Sequence, residues 1–258
     1  PISGVFSAVG EQLRNGFARL HADGTIDTAF SPTLDLRSRV TDMLPLVDGK
    51  ILVSYSGTIP GITDPWTKVL RFNADGSWDS AFQLIAPAAF QLLVQPDGKI
   101  VVAAFSSAID PTQNVRRYHP DGSPDATFSL ATNGPVRTLA MLADGKFLIG
   151  GEFTAIGGQA FGGFARVLPD GSVDPTFFGT TQQGPSHIFI NRKNEPHLLG
   201  SMRNVSGLST WFGATITNTP SRIENAEKAP GEGRVAYIKP ATAPESAAGH
   251  LQRPAGIR

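Results

Sequence analysis

Arg117-Tyr118-His119-Pro120-Asp121-Gly122-Ser123-Pro124-Asp125-Ala126-Thr127-Phe128 is one of four copies of a single phrase. An Arg is followed by an apolar residue, two variable residues, Asp-Gly, Ser or Thr, any residue, Asp, two more residues and Phe. The other copies run from Arg19 to Phe30, from Arg71 to Phe82 and from Arg166 to Phe177. Their first aspartates, Asp23, Asp75, Asp121 and Asp170, are 52, 46 and 49 residues apart. A period near fifty residues, built on turn residues and short β-rich runs, is the mark of a propeller or a similar array.

A second turn alternates with the first. Asp48-Gly49-Lys50, Asp97-Gly98-Lys99 and Asp144-Gly145-Lys146 each precede an apolar run, Ile51-Leu52-Val53, Ile100-Val101-Val102 and Phe147-Leu148-Ile149. Gly4 to Gln12 and Gly151 to Gln159 are also near copies, 147 residues apart, or three periods. Two turns per period predict two hairpins, hence four strands per unit. Pro-Asp-Gly at 96–98, 120–122 and 169–171 sets a type I turn with a glycine where φ must be positive. Across such a turn Leu20 falls opposite Ile26 and Arg19 opposite Asp27. The same spacing pairs Arg71 with Asp79, Arg117 with Asp125 and Arg166 with Asp174. Opposite charges across a strand pair contribute roughly 0.2–1 kcal/mol, so a structural use of these eight residues is expected. The phrase-ending Phe is expected to pack between neighbouring units.

The expected fold is therefore all-β, a β-propeller of about four to five units near 49 residues, each a four-stranded blade. The sequence opens inside a repeat, so the units are read either as a small ring or as part of a larger one that these residues leave incomplete. After Phe177 the pattern decays: Asn194-Glu195-Pro196 replaces Asp-Gly-Lys, and Thr215 stands where Arg is due. Repeats are assigned to 1–219, the last unit degenerate, and 220–258, rich in Ala, Pro, Glu and Gly, to an irregular linker or disordered tail.

Composition limits the function. Among 258 residues, 28 Gly and 20 Pro suit many turns. Lys plus Arg equals Asp plus Glu, 22 each, which disfavours nucleic acid or an anionic membrane as partner. No apolar stretch reaches membrane-spanning length. There is no cysteine, so no disulfide or thiolate metal site.

The combination Phe-x-Ala-x-Gly-Gly-Gln (153–159), Ala-Arg followed by Asp-Gly-Ser-x-Asp-x-x-Phe (165–177), and Asp-Gly-Lys with its apolar run resembles the delta-60 repeat β-propeller family over residues 1 to about 203. The resemblance implies a bacterial secreted or cell-surface protein whose repeats form blades, with no assigned catalysis. Two departures stand out. Ser54-Tyr55-Ser56 and Ala103-Ala104-Phe105 replace Gly150-Gly151-Glu152, and the C-terminal segment lacks the pattern.

Candidate chemistry is sparse. Each Asp-Gly-Ser-x-Asp turn offers two carboxylates, too few for a Ca²⁺ loop. The turns also bring to mind the Asp-box hairpins of sialidase propellers, themselves structural. His21, His119, His187, His197 and His250 lack metal-ligand spacing. There is no Gly-x-Ser-x-Gly elbow and no phosphate loop. No cofactor, catalytic residue or metal site is assigned. The segments joining the two hairpins of each unit differ most, and Asp64, Trp66 and Asp110 within them are candidate recognition residues. A non-catalytic binding or structural module with an unknown protein or glycan ligand is expected. The alternative is a propeller hydrolase or lyase acting on glycans, with acids gathered at the central channel.

Overall fold

The computed structural model describes residues 1–32 except 5 and 15, 40–55, 68–104 except 83, 87 and 88, 114–177, 184–200, and the strands Gly213–Ile216 and Val235–Ile238. All its regular elements are β-strands. Asp64, Trp66 and Asp110 lie outside the described residues, as does most of 220–258.

Each full unit opens with an inner strand: Val40–Pro45, Ala89–Val94, Val136–Met141 and His187–Ile190. The Asp-Gly-Lys turn returns the chain into a second strand, Ile51–Tyr55, Ile100–Ala104 or Phe147–Gly151, with Pro196–Leu199 in the last unit. A third follows antiparallel: Lys68–Phe72, Val115–Tyr118, Phe164–Val167 and Gly213–Ile216. In the first unit Ile2–Ser3 pairs with Phe17–Ala18, and between them Ala8–Val9 forms a small hairpin with Gln12–Leu13. Inner strands of successive units lie side by side, the packing of propeller blades.

The fourth strand departs from the expected pattern. The predicted pairs Leu20–Ile26, Phe72–Trp78, Tyr118–Pro124 and Val167–Val173 face one another, but as isolated bridges. Beyond them the second Asp of the phrase caps a new turn, Asp125 Oδ1 accepting from Thr127 N at 3.0 Å and Asp174 Oδ1 from Thr176 N at 2.9 Å. A carboxylate that satisfies backbone N–H groups two residues on competes with strand pairing. Among the described residues, the second sheet regains a regular fourth strand, Leu84–Ile85. In the last sheet that place is taken by Val235–Ile238, which runs parallel to Gly213–Ile216 and lies within the segment read as a tail.

The core is a series of clusters between units. Phe17 and Phe30 meet Ile51, Val53 and Phe72. Leu52, Val69 and Phe82 meet Leu92, Ile100 and Val102. Val101, Ala103 and Val115 meet Phe147 and Ile149. Leu148 and Phe164 meet Ile188 and Leu198. Alternate residues of each second strand thus face opposite neighbours. A strand buried on both faces is uniformly apolar, which is why these runs follow the Asp-Gly-Lys turns.

Candidate functional site

The repeated charges converge at one end of each sheet. Arg19 Nε donates to Asp27 Oδ2 at 2.7 Å, Arg71 Nε to Asp79 at 2.8 Å, Arg117 Nε to Asp125 at 2.8 Å and Arg166 Nε to Asp174 at 2.9 Å. The Lys of the other turn joins them: Lys50 to Asp79 at 3.4 Å, Lys99 to Asp125 at 3.2 Å and Lys146 to Asp174 at 3.0 Å. Both turns close the same end of the sheet, because first and third strands run parallel, so the lysine reaches the aspartate. Each guanidinium also lies 4.3–4.7 Å from the centroid of its phrase's Phe. Arg71 and Arg117 then cross to the next unit, donating to the carbonyls of Pro120 at 2.9 Å and Pro169 at 2.6 Å. The Thr127 hydroxyl, Lys99 and Arg117 hold the Asp125 carboxyl far below the usual carboxylate range. Burial pushes Asp174 up, but Thr176, Lys146 and Arg166 outweigh it and leave its carboxyl similarly depressed.

The first Asp of each phrase is engaged locally. Asp121 Oδ1 accepts from Ser123 N at 2.9 Å and Ser123 Oγ at 2.7 Å, and Asp75 and Asp170 repeat this with Ser77 and Ser172. Among the described residues no three His, Asp or Glu side chains are placed to hold a metal ion.

A second seam runs along the inner strands. Leu92 N donates to Asp42 Oδ2 at 2.7 Å, Leu139 N to Gln91 Oε1 at 2.7 Å and Ile188 N to Thr138 Oγ1 at 2.9 Å. In all three inner strands the pairing register shifts just before the acceptor, between Val40 and Asp42, Ala89 and Gln91, and Val136 and Thr138. A bulge re-aims the side chain it precedes, here onto the next unit. Asp42 is the one charged member of the three. Burial pushes its carboxyl up, against the Leu92 and Met43 N–H groups that draw it down. A raised folded pKa adds stability in acid that is lost as pH rises through the folded value. In Asp42→Asn, the stability difference of wild type minus variant is therefore expected to fall as pH rises from about 4, and urea unfolding across that range measures it.

At the turn end of the inner strands lies a cavity of about 550 Å³, walled by Leu44, Leu46, Val94, Pro96, Pro120 and Met141. Arg71 reaches it but is paired with Asp79. The opposite end carries the segments between second and third strands. In the fourth unit this segment is a small hairpin, Ala155–Ile156 with Gln159–Ala160, bridged to Thr132 of the preceding unit. Asn133 Oδ1 accepts from both Thr154 N and Ala155 N at 2.8 Å.

Sequence reasoning missed the three lysines and the three seam acceptors. The Lys recurs with its turn at a fixed distance from the phrase, so a signal was present. Asp, Gln and Thr at the seam share only an acceptor oxygen, which no residue-type pattern reveals.

A family model described as a β-propeller domain of unknown function (DUF5122) matches residues 2–30, 95–128 and 142–177. These segments are all or part of the first, third and fourth units. A search of curated proteins finds no match. Among solved structures, a protein of unknown function from Bacteroides caccae is similar at 17% identity and TM-score 0.48, over 77% of this chain and 70% of that one. A protein described as "the putative gluconolactonase" is similar at 16% identity and TM-score 0.41, over 62% of this chain and 55% of that one.

Proposed function

We propose that the chain is a non-catalytic β-propeller module of the delta-60 repeat kind, serving as a binding or structural scaffold in a secreted or cell-surface protein. The observation that carries this reading is the engagement of the repeated charges. All four phrase arginines and their aspartates are ion-paired within their own units. Three of the aspartates also hold a lysine. A pocket for acid–base chemistry needs titratable groups facing the substrate; the cavity at the turn end is walled mainly by aliphatic side chains and proline, its Arg71 is held by Asp79, and its Asp48 accepts from Lys50 N in the turn.

Recognition is assigned to the opposite end, where segments of unequal length and sequence leave a rigid repeat scaffold. Asp64, Trp66 and Asp110 are its first candidates. Two assays on the purified chain test this. Hydrolysis of δ-gluconolactone and of a polysaccharide panel is expected to stay at the uncatalysed rate. Binding on a glycan array is expected to weaken in Trp66→Ala and Asp64→Ala. Turnover above background would replace the scaffold with the glycan-enzyme alternative.

A further inference from the structure

The residue before each phrase Arg is small or apolar in three units: Ala18, Leu70 and Ala165, at most 3% exposed. In the third unit this position is Arg116. Its Nε is buried without a hydrogen-bond acceptor, and among the described residues no carboxylate pairs with it. The adjacent Arg117 faces the other way, onto Asp125 and the next unit. Tyr118, two residues on and so on the same face of the strand, hydrogen-bonds Arg116. Burial pushes the Tyr118 hydroxyl up, and the Arg116 charge opposes that shift.

Both side chains line a cavity of about 530 Å³ whose apolar walls are Val115, Pro124, Phe128 and Leu130. The cavity exists because the segment after the turn pairs with the third strand at Pro124 and Asp125, opposite Tyr118 and Arg117, and bridges it again at Leu130, opposite Val115. Between them the chain bows outward through the turn capped by Asp125. Asp125 is the one carboxylate at this cavity, and Arg117 and Lys99 already hold it. The local field is therefore positive.

We propose that this cavity binds an organic carboxylate, gripped by the two Nη groups at the end of the Arg116 side chain, with its apolar body against Phe128, Leu130 and Pro124. Guanidinium and carboxylate match as parallel charge-assisted bonds, and the cavity is of the size that takes a small molecule. A buried Nε–H with no acceptor is costly to fold around, and three sister units avoid it with Ala or Leu. None of its lining residues belongs to the variable segments, so its failure would leave the scaffold reading standing.

Saturation-transfer NMR on the native chain tests it, with benzoate as probe and neutral benzamide as control. D-glucuronate and N-acetylglutamate, as further arms, separate an apolar acid from a sugar acid and an acidic side chain. At least one acid is expected to bind at millimolar concentration and benzamide not to bind. Arg116→Leu, which copies Leu70 of the second unit, is expected to bind that acid about ten- to hundredfold more weakly, the worth of one charged hydrogen bond. Arg116→Lys keeps the charge but not the fork and is expected to fall between the two. Unchanged affinity in both variants, binding of benzamide equal to benzoate, or no acid bound at all would each overturn the assignment.

Discussion

Asp125→Ala is expected to destabilise the protein by about 3–5 kcal/mol, because it leaves a buried guanidinium without its counter-charge. Arg117 is 5% and Asp125 2% exposed at the side chain, against 26% and 13% for Arg19 and Asp27. The same replacement at Asp27 is therefore expected to be milder. Asp125 also accepts from Thr127 N and Oγ1 and from Lys99, so its loss frees four donors. A double-mutant cycle of Arg117→Ala with Asp125→Ala should give a coupling of about 0.5–3 kcal/mol; no coupling would sink the pairing. Acid supplies a second readout. A carboxylate with a depressed folded pKa contributes stability that is present above its unfolded pKa and lost as pH falls through the folded one. The gap between wild type and Asp125→Ala should thus be full at neutral pH and narrow below about 4.

This pair was legible from the sequence because a type I turn with a bulge fixes which residues face each other eight positions apart. The second strands were legible for a related reason: a turn signal followed by an unbroken apolar run describes a strand buried on both faces. What the phrase could not disclose was its own competing chemistry. Asp27, Asp79, Asp125 and Asp174 were read as strand residues paired with arginine, which they are at one oxygen. In the first, third and fourth copies the other oxygen caps the next turn, as in Asp27 with Ala29 N at 3.0 Å, and the strand pairing there is reduced to an isolated bridge. The inner seam was illegible because Asp42, Gln91 and Thr138 act through geometry set by a bulge. Arg116 was illegible because the repeat is defined by the residues its copies share, and this position is Ala18, Leu70 and Ala165 in the others.

Gly171→Ala tests how the phrase joins one unit to the next. Gly171 sits at φ +99°, and a Cβ there would stand 2.6 Å from two ring carbons of Phe128 in the preceding unit. Gly24 holds the same turn position in the first copy at φ +86°, with nothing within 4 Å of its Cβ position. Gly24→Ala should therefore lose only the backbone term, about 1–2 kcal/mol. Gly171→Ala adds overpacking, typically about 1–3 kcal/mol, for an expected total near 3 kcal/mol. The ring cannot easily yield. Arg117 lies over it at 4.6 Å and the cluster of Val101, Phe147 and Val167 backs it. Shortening it in Phe128→Leu should recover part of the Gly171→Ala loss while adding its own. Denaturant midpoints of the four proteins decide the matter. Equal losses at Gly24 and Gly171 would mean that Phe128 does not hold the turn of the next unit, which would then be held by Arg117 and Gln95 at the Pro169 carbonyl.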